Sequence, residues 1–188
     1  MFLNIKTLLR LMKAAYKGFG LNVQRFDDTL YLGASGWEAE MPYQDAPKEI
    51  KAKIVELAGE LPEDGTAATL MAAGGQMDFP VRIIGPLTSN DKKKAFRTDI
   101  RIRDMYVLQL EKDRSRPVML IKEPLITMAE GEPDYNHGET GVSGPYVDDN
   151  GIYYWTNTTK LHLLPCLMPS RQDLLDALGT MELTGDPE

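Results

Sequence analysis

The chain has 188 residues, 43% of them hydrophobic and 26% charged, which is the balance of a folded protein and not of a disordered one. Its formal net charge of −7 argues against unaided, sequence-independent DNA binding, which needs net positive charge to displace counterions. A lone cysteine, Cys166 in the apolar run Leu164-Pro165-Cys166-Leu167-Met168, excludes an intrachain disulfide and reads as a small buried hydrophobe, not a nucleophile.

The charge is segmented: residues 1–26 sum to +5, 27–81 to −8, 82–122 to +6 and 123–188 to −10. Poles of this kind speak to partners more than to chemistry. No apolar run reaches the ~18 residues of a transmembrane helix. Lys6, Arg10 and Lys13 interrupt the apolar N-terminus too often for a signal peptide. The expectation is a cytoplasmic protein without membrane partners, and the match Asn157-Thr158-Thr159 to a glycosylation acceptor is then a chance one.

In chain order, residues 4–17 predict an amphipathic helix. Ile5, Leu8, Leu9, Met12, Ala15 and Tyr16 form one stripe, Asn4 is the N-cap, and Gly18 and Gly20 end it. Lys6, Arg10, Lys13 and Lys17 make its other face a basic row. That row reads as the solvated face of a core-packed helix in preference to a membrane-surface or partner-docking helix. Residues 21–25 and 29–33 predict a hairpin turning at Asp27-Asp28. Gly33 to Glu38 reads as a loop holding Trp37 as a core anchor. A second helix is expected over 46–61, capped by Asp45, with Pro47 in its first turn, a stripe of Ile50, Ile54, Leu57 and Leu61, a Glu49–Lys53 pair, and Pro62 and Gly65 as its stop.

From Thr66 to Leu125 the pattern is β. Thr69–Met71 and Gln76–Ile84 flank the turn Gly74-Gly75, and Phe96–Leu110 reads as one strand with a charged outer face. Asp113–Arg116 turns the chain into Pro117–Ile126. Residues 129–146 read as a long acidic loop, and Asp149-Asn150-Gly151 as a tight turn into one long aromatic strand, Ile152–Leu164. Ser170 caps a short last helix with Leu174, Leu175 and Leu178 on its apolar side, ended by Gly179 and followed by an acidic tail. The fold class is therefore α+β: an antiparallel sheet with an N-terminal helix, a second helix near 46–61 and a short C-terminal helix. It forms a single domain over 1–188, with 85–91 the best place for a boundary between two sub-lobes.

Three functional readings follow. The first is a non-enzymatic acidic binding protein that engages a basic surface of a nucleic-acid-handling protein, with Glu130, Glu132, Asp134, Glu139, Asp148 and Asp149 as the partner-binding acids. The second is a nucleic-acid binder using Lys92, Lys93, Lys94, Arg97, Arg101 and Arg103 around Phe96, set against the plainer reading of an edge strand protected by charge. The third is a metal-assisted enzyme with its site at Asp134, His137 and Glu139, although that run does not have the spacing of an EF-hand loop. His162 alternates with Leu161 and Leu163 and reads as an outer-face or satisfied core histidine. Gly138–Gly144 and Ala73–Gln76 lack the context of a phosphate loop. With no nucleophile elbow and no zinc spacing, no catalytic residue, metal or cofactor is assigned.

The segments Leu8-Leu9-Arg10-Leu11-Met12-Lys13-Ala14-Ala15-Tyr16-Lys17-Gly18 and Trp37-Glu38-Ala39-Glu40-Met41-Pro42 resemble the opening of small accessory proteins from phages and conjugative elements of gut bacteria. The resemblance covers about the first 65 residues. Some acidic proteins of that origin are anti-CRISPR inhibitors, so it implies a partner such as a nuclease–RNA complex and carries no site residue with it.

Overall fold

The computed structural model describes residues 1–72, 93–110, 118–131, 141–148, 151–164, 172–181 and 183. These residues form helices α1 (Ile5–Lys17), α2 (Lys48–Ala58), α3 (Glu123–Ala129) and α4 (Gln172–Gly179). They also form strands β1 (Leu21–Phe26), β2 (Thr29–Ala34), β3 (Trp37–Pro42), β4 (Thr66–Leu70) and β5 (Lys93–Ile102). The chain continues through β6 (Met105–Leu110), β7 (Met119–Lys122), β8 (Ser143–Val147), β9 (Tyr153–Thr156) and β10 (Lys160–Leu163). The strands make one sheet in the order β4-β1-β2-β3-β10-β9-β8-β5-β6-β7, antiparallel at every pairing. The fold is α+β.

The register explains which face is dry. Val23 pairs with Leu32, Leu32 with Ala39, Ala39 with Leu161, and Leu161 with Trp155, so alternate residues of neighbouring strands line one face. On that face they meet Leu8 and Met12 of α1, Ile50 and Ile54 of α2, and Ile126 and Met128 of α3 in one buried cluster. Each such side chain taken fully from water contributes roughly 1.5–3 kcal/mol. Alternation puts Met105 and Val107 on the other face of β6, where they join Val118, Leu120 and α4's Leu175 and Leu178 in a second cluster.

Local chemistry sets the ends of α1. The Asn4 side chain accepts the Thr7 N–H at 3.0 Å, and the Gly18 N–H closes on the Ala14 and Ala15 carbonyls. The leader before it is pinned as well: the Asn4 N–H donates to the Met128 carbonyl at 2.9 Å. Gly131 lies so close to this leader that a Cβ there would stand 2.1 Å from the Phe2 carbonyl oxygen. At the β1–β2 turn, Asp27 and Asp28 both take positive φ, 48° and 64°, as a two-residue hairpin loop requires.

Several expectations are corrected. The segment read as a loop around Trp37 is the strand β3, with Gly36 (φ 95°) at its turn; Trp37 is the core anchor expected, 2% exposed. Helix α2 is shorter than 46–61. Pro47 takes the N-cap position without a side-chain cap from Asp45, and Gly59 stops the helix in the left-handed region (φ 90°) ahead of Pro62. Lys53 pairs with Glu56, one turn on, in place of Glu49. The span 96–110 is two strands, folded at Arg103-Asp104 with Arg103 at φ 60°. The described part of the span read as Pro117–Ile126 is the strand β7 followed by α3, because Glu123-Pro124 suits the first turn of a helix and Pro cannot continue a ladder. Ile152–Leu164 is the hairpin β9–β10, whose turn is closed by Asn157 Oδ1 accepting the Thr159 N–H at 2.7 Å. Residues 143–146, assigned to the acidic loop, belong to β8. The expected features at 74–92, 113–116, Cys166, Ser170 and 184–188 lie outside the described residues.

Two pairs of substitutions test this packing. Ile54→Ala is expected to lower stability by about 2–5 kcal/mol, while Val55→Ala on the exposed side of α2 stays within about 0.5 kcal/mol, as read from denaturant midpoints. Gly131→Ala must push backbone against backbone and is expected to lower the melting temperature by several degrees, a loss that Gly59→Ala, with open space around it, does not share in steric origin.

Candidate functional site

The acids expected to meet a partner fare differently. Glu130 caps the C-terminal end of α3 and pairs with Arg97. Asp148 is 4% exposed and works as a turn residue, its Oδ1 accepting the Ile152 N–H at 2.8 Å. A buried carboxylate tied to the backbone presents less field to a partner than an exposed one. Glu132, Asp134, Glu139 and Asp149 lie outside the described residues, as does His137.

The basic segment is also reassigned in part. Strand β5 lies between β8 and β6 in the sheet order, but it pairs with β8 only at Lys93 and Lys94 and with β6 from Ala95 to Ile102. Arg97 pairs with Glu130, and Arg101 Nη2 lies 2.7 Å from Glu123 Oε2. Both guanidiniums stack 4.9 Å from the Tyr106 ring centroid. The two arginines therefore clasp the two ends of α3, and a phosphate would have to displace both acids. Lys93 pairs across to Val147, Lys94 to Tyr146, and Arg103 sits exposed in the β5–β6 turn; Lys92 lies outside the described residues.

The face of the sheet away from α1–α3 carries polar rows that the sequence did not reveal. One row runs Glu38, His162, Tyr154, Tyr146, and the next runs Gln24, Tyr31, Glu40, Lys160. Lys160 Nζ lies 2.6 Å from Glu40 Oε1. His162 is 4% exposed, and its Nε2 has no hydrogen-bond partner among the described residues; nor has Glu40 Oε2. Tyr154 meets the imidazole edge-on at 6.5 Å between centroids. Burial pushes the His162 pKa down, against a smaller upward pull from Glu40. Burial and the Glu40 charge push the Tyr31 hydroxyl up. Burial thus favours the neutral form of His162 on the polar face. The residues come from six strands in two distant stretches of chain, 24–40 and 146–162, so only the strand pairing brings them together.

A groove of about 560 Å³ opens between α2 and β4, floored by Tyr16, Val23, Ile54, Leu57, Leu61 and Leu70. Glu60 and Glu63 line its rim, with Asp64 beside them. All three acids are exposed, and none is in an ion pair among the described residues. They follow the C-terminal end of α2, where the helix dipole is already negative and no basic residue stands in the last turn. Like charges here cost stability, and a cationic partner would relieve them. The volume is that of a site able to hold an apolar side chain.

No protein-family model matches the chain, and neither a curated protein nor a solved structure matches it. Among the described residues no helix is long and apolar enough to cross a membrane, and no group of three or more His, Cys, Asp or Glu is placed to hold a metal ion.

The lowered pKa of His162 fixes a sign. The unfolded chain takes up a proton near the ordinary histidine pKa of about 6.5, before the folded chain does. Stability is therefore full above that pH and falls as pH drops below it, by at most about 1.4 kcal/mol per pH unit for this one group. Melting temperatures of the native chain and of His162→Gln between roughly pH 7.5 and 5 check this. The variant is expected to start lower and to lose less on acidification.

Proposed function

We propose that this chain is a non-enzymatic binding protein of the cytoplasm that seats a basic surface of a nucleic-acid-handling protein on the α2–β4 groove. The observation that carries the reading is the uncompensated acidic rim, Glu60, Glu63 and Asp64, standing over an apolar floor. An arginine or lysine flanked by an apolar residue satisfies both parts. Of the acids first named for this role, Glu130 already has Arg97 and Asp148 is buried, while Glu132, Asp134, Glu139 and Asp149 lie outside the described residues; the rim adds Glu60, Glu63 and Asp64 to the candidates for steering. The resemblance of residues 8–18 and 37–42 to accessory proteins of phages and conjugative elements makes an RNA-guided nuclease bound to its guide the first partner to test, and inhibition of that nuclease the activity to assay.

Association between opposite charges is steered over a screening length that shrinks from ~10 Å at 0.1 M salt to ~3 Å at 1 M. Glu60→Lys/Glu63→Lys is expected to slow association with such a nuclease–guide complex about ten-fold or more at low salt and to flatten its salt dependence, with a smaller effect on dissociation. Surface-immobilised nuclease complexes from several classes, read by on-rate across a salt series and by target cleavage, check this. Superimposed on-rates for native and variant chains would remove the groove from the interface. Failure of every complex to bind or be inhibited would remove the nuclease reading.

A further inference from the structure

Two groups among the described cations differ in their surroundings. Arg97, Arg101, Lys53 and Lys160 each meet an acid. Lys6, Arg10, Lys13 and Lys17 on α1 do not: all four are exposed, and none forms an ion pair among the described residues. Arg10 is steadied only by the Thr7 hydroxyl, which accepts from its Nη2 at 3.2 Å. Glu56, whose pKa is lowered chiefly by its hydrogen bond to Lys53 and less by the charge of Lys13, is already occupied by Lys53. At 1.5 Å per residue the row from Lys6 to Lys17 runs about 16 Å along one side of the helix. Just beyond it, between Gly18 and Gly20, Phe19 is 94% exposed, far more than any other large hydrophobic residue described.

We infer that the outer face of α1 with Phe19 is a binding site for single-stranded nucleic acid. A line of unpaired cations can follow a phosphate backbone, and an exposed ring at its end offers a platform on which an unpaired base stacks. Charge complementarity selects an anionic partner, and two observations choose among anions. The apolar stripe of α1 is buried in the core, with Leu8 and Met12 both 0% exposed, so the helix has no apolar face to sink into a bilayer. The bases of a duplex are stacked on one another, so only a single strand offers Phe19 a free base face. The site is separate from Arg97 and Arg101, which are held by α3, and it does not rest on the groove reading.

The test uses the purified chain with fluorescent oligo(U) and oligo(dT), the matching duplex, and phosphatidylserine vesicles, by anisotropy and co-sedimentation across a salt series. The single strands are expected to bind most tightly. The slope of log affinity against log salt should be about −2.8 if all four cations engage, at about 0.7 per phosphate contact. Lys13→Gln/Lys17→Gln should halve that slope. Phe19→Ala should weaken binding about ten-fold with the slope unchanged, since it removes stacking and not charge. Arg101→Gln should change neither. All the substituted side chains are exposed, and unchanged melting curves confirm that the variants fold. Absence of single-strand binding at low salt, native-like binding by the α1 variants, a duplex bound as tightly as the single strand, or vesicles bound in its place would each overturn the inference.

Discussion

Everything in this sheet hangs on the pairing of β3 with β10. Strands β4, β1, β2 and β3 come from residues 21–70, and the six strands beyond the seam come from residues 93–163. Four residue pairs join them: Glu40 with Lys160, Ala39 with Leu161, Glu38 with His162 and Trp37 with Leu163. On one face the seam brings Trp37 against Leu163 in the core; on the other it brings Glu40 to Lys160 across 120 residues of sequence. Closing so long a loop costs little more than closing one half its length, because the entropy grows only with the logarithm of loop size. The apolar half of the seam outweighs that small increment. The ionic half fixes register, since a slip of one residue would put Trp37 on the polar face and Glu38 in the core.

What could be read from the sequence was local. The Asn4 cap, the α1 stripe, the turn at Asp27-Asp28 and the core role of Ile50 and Ile54 all depend on residues within a turn or two of one another. Hidden features were of two kinds. Turns made without glycine, at Arg103-Asp104 and Asn157–Thr159, left strands that read as one long run, and a proline that opens α3 left a helix that read as a strand. Pairing across the seam has no local signature at all, so the rows around His162 could not be assembled from the sequence. Charge was legible only as a sum. It could not distinguish Glu130, which holds an arginine, or Asp148, which closes a turn, from Glu60 and Glu63, which form no ion pair among the described residues.

The basic row of α1 and the acidic rim of the groove have a common address. Helices α1 and α2 pack against each other on one face of the sheet, so the free basic row and the acidic rim belong to the same side of the molecule. Exposed ion pairs contribute little to stability, typically under about 1 kcal/mol, so leaving these groups unpaired costs the fold little. A partner built of both protein and nucleic acid presents both signs of charge, and a surface of this layout can meet both at once.

The seam also has a consequence for synthesis on the ribosome. When β3 has been made, its outer edge has no neighbour until β10 emerges about 120 residues later, which at ~5–20 residues per second is about 6–24 s. During that interval Trp37, Ala39 and Met41 line one face of an open strand edge, an arrangement that templates pairing with other chains. Glu38 and Glu40 alternate with them. In the nascent chain, before Lys160 exists to neutralise one of them, these two carboxylates are the like charges that keep neighbouring chains apart.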